Sequence, residues 1–192
     1  NGPAPLQVAI AIAVAGIALF VFLNMKLLAW NLSRLSEWKQ TKAYAKIVKT
    51  NAQSQLMALP LALGMSVNGL FIAGLVFVPG LWNVVEYLFP LALAAFALIG
   101  ILAFRLYGHF IARIKVEGGF NHAANNSFGQ ILPAFAFAMI GVGMAAPAAM
   151  STNAAVVGLS IVASTFLLVT SVLIAGIALV LGIRSMLDHG TN

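Results

Sequence analysis

The stretch AAVVGLSIVASTFLLVTSVLIAGIALVLGI, residues 154–183, contains no charged side chain. About 20 consecutive apolar residues are enough to span the hydrocarbon core of a bilayer as an α-helix. Since this stretch is longer, it predicts a membrane-spanning helix that is tilted or extends into the interface. It does not fit the strands of a membrane barrel, which are about 9–11 residues of alternating polarity.

Four further apolar runs precede this stretch, at residues 6–30, 56–78, 88–104 and 131–150. The third run is the shortest, but Trp82, Tyr87 and Arg105 flank it as interfacial anchors do. The first run exceeds the 7–15 apolar residues of a signal-peptide core. The sequence therefore predicts an all-α, polytopic integral membrane protein with about five transmembrane helices.

The composition agrees with a bilayer as the solvent. Of 192 residues, 62% are hydrophobic and only 7% are charged, whereas soluble domains have about 25% charged residues. The chain has no cysteine, which excludes disulfides, thiol nucleophiles and iron–sulfur clusters. The net charge of +6 comes from basic residues between apolar runs, which favours lipid over nucleic acid as the partner.

The basic residues predict the orientation. The loops at 79–87 and 146–153 contain no lysine or arginine. By the positive-inside rule the basic side faces the cytoplasm, so we expect a multi-pass protein of the bacterial inner membrane with its N-terminus outside and its C-terminus cytoplasmic. All ten basic residues fall on that side: Lys26, Arg34, Lys39, Lys42, Lys46, Lys49, Arg105, Arg113, Lys115 and Arg184.

Four of these lysines, at positions 39, 42, 46 and 49, recur at 3-4-3 spacing. If residues 36–50 form one helix, the lysines share one face of it. Such a face is typical of an interfacial helix that rests on anionic headgroups. The alternative is a docking or anion-attracting site.

Two segments resemble each other and predict an internal repeat. NAQSQLMALP begins at residue 51 and NSFGQILP begins at residue 126. We expect hairpin repeats at about 6–78 and 88–150, followed by a fifth helix at about 154–183, in a single transmembrane domain of residues 1–192. The alternative is that both segments only cap helices. The shared positions are Asn51, Gln55 and Pro60 in one copy and Asn126, Gln130 and Pro133 in the other.

The helices that begin at this repeat are rich in small residues, which let membrane helices pack closely. Prolines within apolar runs remove backbone hydrogen bonds, and a membrane tolerates such breaks where protein or water lines a cavity. A mid-membrane amide, Asn68, also belongs next to protein or a cavity. If these helices line a pathway, the candidate residues of the pathway should be less exposed to lipid than Leu70 or Ile140. The pathway candidates are Pro60, Gly64, Asn68, Pro133, Ala138 and Gly141.

Groups for catalysis are scarce. The four acids and three histidines lie in loops or interfaces, and no metalloprotease, P-loop or nucleophile-elbow motif occurs. We therefore expect neither an enzyme nor a metal or cofactor site. Haem ligation by His109 is a third and weaker hypothesis.

The stretches NAQSQLMALPLALGMSVNGLFIAGLVFVPGLW and NNSFGQILPAFAFAMIGVGMAAPAAM resemble the tellurite-resistance/dicarboxylate transporter (TehA/slow anion channel-like) superfamily. The resemblance is closest to the bacterial TsoY-type membrane proteins. It implies a ten-helix fold, of which this chain would form part, with a pore that phenylalanines close. By that analogy Phe71, Phe135 and Phe137 are candidate pore aromatics.

The leading functional hypothesis is a transporter or channel for small anions, in a homo-oligomer or membrane complex. The alternative is a non-catalytic membrane subunit of a larger complex, in which the small-residue stripes are lateral interfaces.

Overall fold

The computed structural model describes residues 3–125 and 128–190. In that part of the chain the regular structure is entirely helical, and five helices are long and apolar enough to cross a membrane. This confirms the predicted all-α class and the number of long apolar helices. The α-helices are α1 (Ala4–Trp38), α2 (Lys42–Ile47), α3 (Ala58–Phe77), α4 (Val85–Glu117), α5 (Leu132–Met150) and α6 (Ala154–His189).

At one end of the bundle, the α1–α3 and α4–α5 connections lie together with the last turn of α6. The Nδ2 atom of Asn51 donates a hydrogen bond to the carbonyl oxygen of Asn121 at 2.8 Å, which joins the two connections. The hydroxyl of Ser185 in α6 donates to the carbonyl oxygen of His122. Since these connections and the helix turns next to them carry most of the lysines and arginines, we call this the basic end.

At the opposite end, Glu86 in the first turn of α4 holds the α5–α6 connection. Its carboxylate accepts hydrogen bonds from the Ser151 hydroxyl at 2.7 Å and from the backbone N–H of Thr152 at 2.5 Å. The Thr152 hydroxyl donates a third, at 3.0 Å. The long helices therefore alternate in direction between the two ends.

The core is centred on α5, which packs against α3, α4 and α6. Phe137 and Ile140 in α5 are fully buried. In contrast, none of the residues of α1, all of which the structure describes, is buried. Helix α1 packs mainly on α3, where the Ser66 hydroxyl donates to the side-chain oxygen of Asn24 at 2.7 Å.

Helix α6 packs on α5 through small residues. The hydroxyl of Ser160 donates to the carbonyl oxygen of Met144, and that of Ser171 donates to the carbonyl oxygen of Ala134 at 2.7 Å. Small side chains let two apolar helices approach closely, and hydroxyl groups add hydrogen bonds where water is absent. The small residues on the buried face of α6 are Ser160, Ser164, Ser171, Ala178, Gly182 and Ser185.

The helices extend beyond the predicted apolar runs. The third run was predicted at 88–104, whereas α4 continues to Glu117 and ends before Gly118 and Gly119, which have φ angles of +70° and +79°. Glycine ends a helix readily because it adopts positive φ without steric cost. Hydropathy marks only the apolar part of a helix, so it missed the polar last turns.

Residues 36–50 do not form one helix, so the condition under which the four lysines would share one helix face is not met. Helix α1 ends at Trp38, and α2 begins after Thr41, whose hydroxyl accepts a hydrogen bond from the backbone N–H of Tyr44 at 3.3 Å. A threonine cap of this kind favours a new helix over continuation of the old one. Only Lys42 and Lys46 lie within α2.

Candidate functional site

The two glutamines of the repeat motif bind each other's segments at the basic end. The Nε2 atom of Gln55 donates to the carbonyl oxygen of Gly129 at 2.9 Å. The Nε2 atom of Gln130 donates to the carbonyl oxygen of Asn51 at 3.1 Å. This reciprocal pair, which we call the glutamine junction, joins the starts of α3 and α5. The internal repeat itself stays a prediction.

Asn51 has a second role in the same place. Its side-chain oxygen accepts the backbone N–H of Asn121 at 3.1 Å, while its Nδ2 atom donates back to the carbonyl oxygen of that residue. This two-point contact fixes the otherwise irregular connection after α4. The predicted counterpart, Asn126, lies outside the described residues.

Arg113 in α4 binds the segment that precedes the glutamine junction. Its Nε atom donates to the side-chain oxygen of Gln53 at 2.7 Å, and its guanidinium also binds the carbonyl oxygen of Thr50 at 3.0 Å. These acceptors are neutral. Among the described residues the salt bridges are Arg34–Glu37 and Arg184–Asp188, so the charge of Arg113 is not neutralised by a carboxylate.

Both prolines of the repeat lie in the first turn of their helices, so the prediction that they break the spans is wrong. Pro60 is the third residue of α3 and Pro133 the second residue of α5. Each helix follows a 3-10 segment, Asn51–Met57 or Phe128–Ile131. A first-turn N–H has no partner within its α-helix, so proline costs little there.

A cavity of about 320 Å³ lies between α4, α6 and the connection that precedes α5. We call it the basic-end cavity. Its polar lining consists of Tyr107, His122, Asn125 and Gln130, and none of the described residues that line it is an acid. Its apolar lining consists of Phe110, Ile111, Ile114, Phe120, Ile174, Ile177, Ala178 and Leu181.

Asn125 is the unusual member of this lining. It is 1% exposed, and neither its Oδ1 nor its Nδ2 atom has a hydrogen-bond partner within the part of the chain that the structure describes. A buried polar group without a partner costs about 1–3 kcal/mol, so natural proteins rarely keep one unless water or a ligand binds it. Sequence reasoning missed Asn125.

Aromatic rings of α4 and α5 lie next to this cavity. The Tyr107 ring, which lines it, meets the edge of the Phe137 ring with centroids 6.1 Å apart. The Phe137 ring in turn contacts Phe104 at a centroid distance of 4.6 Å. We call these three rings the aromatic cluster.

Beyond the aromatic cluster, α4 and α5 remain in close contact. The ring of Phe96 lies where a Cβ atom at Gly143 would be, and a Cβ atom at Gly100 would lie 3.9 Å from Ile140. We call this contact between α4 and α5 the glycine–aromatic seam. Sequence reasoning missed Phe96 because a phenylalanine in an apolar run gives no signal of its partner.

Two pathway candidates of α3 face α5. A Cβ atom at Gly64 would lie 3.3 Å from Cγ of Met139, and the Nδ2 atom of Asn68 lies 3.3 Å from Sδ of the same methionine. Ala138 is partly buried next to this contact. Phe71 instead stacks on Phe89 of α4, with centroids 6.0 Å apart.

The structure does not bring the remaining candidates to the same place. Gly141 faces α6, where a Cβ atom would lie 3.0 Å from Cγ of Leu168. Phe135 is 60% exposed. Leu70 is exposed as expected, but Ile140 is fully buried, so the expectation that Ile140 faces lipid is wrong. Helix α5 is packed on several sides, which an apolar sequence cannot reveal.

No group of three or more histidines, aspartates or glutamates that could hold a metal ion occurs among the described residues. His109, the haem candidate, is exposed on α4. Comparison with protein-family models, with curated proteins and with solved structures finds no match to this chain. The site must therefore be interpreted from its own geometry.

Proposed function

We propose that this protein is a transporter or channel for small anions in a cell membrane, with its basic end towards the cytoplasm. The observation that carries the proposal is the buried amide of Asn125, which has no hydrogen-bond partner among the described residues and lies in a cavity without an acidic side chain among its described lining residues. The amide, hydroxyl and imidazole groups of this lining are hydrogen-bond donors to an acceptor such as chloride, nitrate or a small carboxylate.

The surroundings of the cavity favour an anion over a cation. The guanidinium of Arg113 binds neutral acceptors in the segment that precedes the glutamine junction, so its positive charge acts on the whole basic end. Helices α3 and α5 begin at this end but α1, α4 and α6 finish there, so the positive potential comes from the side-chain charges and not from the helix dipoles. An anion that enters from this side meets a favourable potential before it reaches Asn125.

The path that we propose continues from the cavity along the glycine–aromatic seam. In this proposal the first gate is formed by the contacting rings of Tyr107, which lines the cavity, and Phe137. Phe96 on Gly143 is the second obstruction. In this closed arrangement, opening requires α4 to move relative to α5. Phe135, which is mostly exposed, takes no part in this gate.

The assembly in which this chain would form a complete path is also part of the proposal. The family resemblance implies a ten-helix fold, so further helices or a second copy of this chain would provide the other walls of the path. Helix α1, which buries none of its residues within this chain, is available for such contacts.

The test is flux through the purified protein in liposomes, with chloride, nitrate and formate as the anions. Asn125→Leu should abolish most of the flux because it removes the amide at the binding site. This substitution should not unfold the protein, since an apolar group of similar size replaces a polar one that has no partner among the described residues. Asn83→Leu, at the opposite end, is the matched control. Wild-type protein without any anion flux, or normal flux in Asn125→Leu, would contradict the proposal.

The second candidate function is a non-catalytic membrane subunit of a larger complex. The observation that favours it is that α1, described over its whole length, buries none of its residues within this chain. A partner helix that packs along α1 would explain this. Purification in a mild detergent distinguishes the two: a stoichiometric partner supports the subunit, and a homo-oligomer that passes anions contradicts it.

A further inference from the structure

We propose that a groove at the basic end, separate from the cavity of Asn125, binds one anionic phospholipid from the adjacent leaflet. The groove lies between the last turns of α1, helix α2 and the start of α3, and its volume is about 730 Å³. This inference does not depend on anion transport. A protein with either proposed function can hold such a lipid.

The deeper part of the groove has the character of an acyl-chain site. Leu28, Leu32 and Leu35 of α1 line one side, at the spacing that places them on one helix face. Leu59 of α3 and Leu106 of α4 are among the apolar residues that face them. Hydrocarbon chains fill such a surface more favourably than water does.

The outer part of the groove is polar and positively charged. Asn31, Arg34 and Lys39 line it, and no acid occurs among its described lining residues. Arg34 pairs with Glu37 at 2.7 Å, which offsets part of its charge. Lys39 has no salt-bridge partner in the described part of the chain, so its ammonium group is available to a phosphate.

Along the groove, the leucines are followed by the charged residues, in the same order as the acyl chain and the headgroup of a lipid. Leu28 and Lys39 are eleven positions apart, which corresponds to about 16 Å along a helix. Trp38 and Tyr44 line the charged part and contact each other edge to face, with centroids 5.0 Å apart. Such aromatic residues are typical of the headgroup level of a bilayer.

The local charge selects the headgroup class. Residues 26–50 contain six basic residues and one acid: Lys26, Arg34, Lys39, Lys42, Lys46 and Lys49 against Glu37. A lipid with a net negative headgroup, such as phosphatidylglycerol, is attracted by this excess, whereas a zwitterionic lipid is not. A free phosphate shares the headgroup chemistry but gains nothing from the leucines. The groove therefore favours the lipid over the free ion.

The experiment measures lipid retained by the detergent-purified full chain, by native mass spectrometry. The protein is offered phosphatidylglycerol or phosphatidylcholine at equal concentration, with or without inorganic phosphate. We expect one retained phosphatidylglycerol, little phosphatidylcholine, and no displacement by inorganic phosphate. Equal retention of both lipids, or displacement by phosphate, would overturn the proposal.

Variants separate the groove from general surface charge. Lys39→Ala should lower phosphatidylglycerol retention about fivefold, since one lysine near an anionic surface contributes about 1 kcal/mol. Lys115→Ala, an exposed basic residue outside the groove, is the matched control and should retain lipid normally. Ala58→Trp should fill the groove and reduce retention without a change of charge. Equal losses in Lys39→Ala and Lys115→Ala would overturn the assignment to the groove.

Discussion

The ring of Phe96 in α4 lies directly on the backbone of Gly143 in α5, in the space that a Cβ atom at position 143 would need. Three atoms of the ring would lie closer than 3.0 Å to such an atom, a separation that real Cβ atoms essentially never show. The contact therefore depends on glycine, and it closes the glycine–aromatic seam.

Gly143→Ala should destabilise the protein by about 1–3 kcal/mol, the usual cost of overpacking a well-packed core. Phe96→Leu in the same chain should recover part of that loss because it makes room for the new methyl group. Thermal unfolding in detergent measures both. Gly176→Ala is the control, since a Cβ atom there meets nothing within 4 Å. Equal effects at positions 143 and 176 would show that the ring does not occupy this space.

Phe137→Ala should raise anion flux if the aromatic cluster is a gate. The substitution also removes a buried ring and should cost about 3–5 kcal/mol of stability, so flux is normalised to folded protein. Phe135→Ala removes a mostly exposed ring and should change neither quantity much. Flux that is unchanged in folded Phe137→Ala, or raised equally by both substitutions, counts against the gate.

The glutamine junction predicts that Gln55 and Gln130, which are far apart in the sequence, stabilise the same contact between the starts of α3 and α5. Gln55→Ala and Gln130→Ala should each lower the stability by about 1 kcal/mol, the usual contribution of one hydrogen bond. Because both bonds hold the same two segments together, the double variant should lose less than the sum of the single losses. A double-mutant cycle by thermal unfolding measures this coupling. Strictly additive losses would mean that the two bonds act independently.

The orientation is testable because the chain has no native cysteine. Cysteines that replace Trp82 and Asn153, at the end opposite the basic one, should react with an impermeant reagent outside intact cells. A cysteine at Lys42 should react only after the membrane is opened. The reverse pattern would invert the proposed topology and place the basic end outside.

The carboxylate of Glu86 should matter for the connection between α5 and α6. Glu86→Ala removes the acceptor for both hydroxyls and for the Thr152 N–H, so residues 151–153 should exchange their amide hydrogens faster. Glu117→Ala changes an exposed acid at the other end of the same helix and serves as the control. Unchanged exchange in Glu86→Ala would show that the connection is held by the helices alone.

The number of long helices was predictable because long apolar runs are a strong signal in a sequence. Five apolar runs predicted the five long helices, although Glu117 at the end of α4 lies well beyond its run. The charge pattern predicted which connections share an end. Neither the apolar runs nor the charge pattern depends on which side chains contact each other in the folded protein.

The site was much less predictable, because apolar helices show no polar face that would reveal their packing side. Gly64 and Gly141 look alike in the sequence, yet one faces α5 and the other faces α6. Pro133 lies at a helix start because a 3-10 segment takes up part of the apolar run. Asn125 stands out only because its buried amide has no hydrogen-bond partner among the described residues, which is a property of the folded chain.

The serine contacts of α6 have a mechanical consequence. Ser160 and Ser171 donate to backbone carbonyl groups of α5, and Ser185 donates to the carbonyl group of His122 in the connection between α4 and α5. A slide of α6 by one helical turn, about 5.4 Å, would break all three bonds together. We therefore expect α5 and α6 to move together as one rigid unit. Any gap between helices would then form where this unit contacts α4.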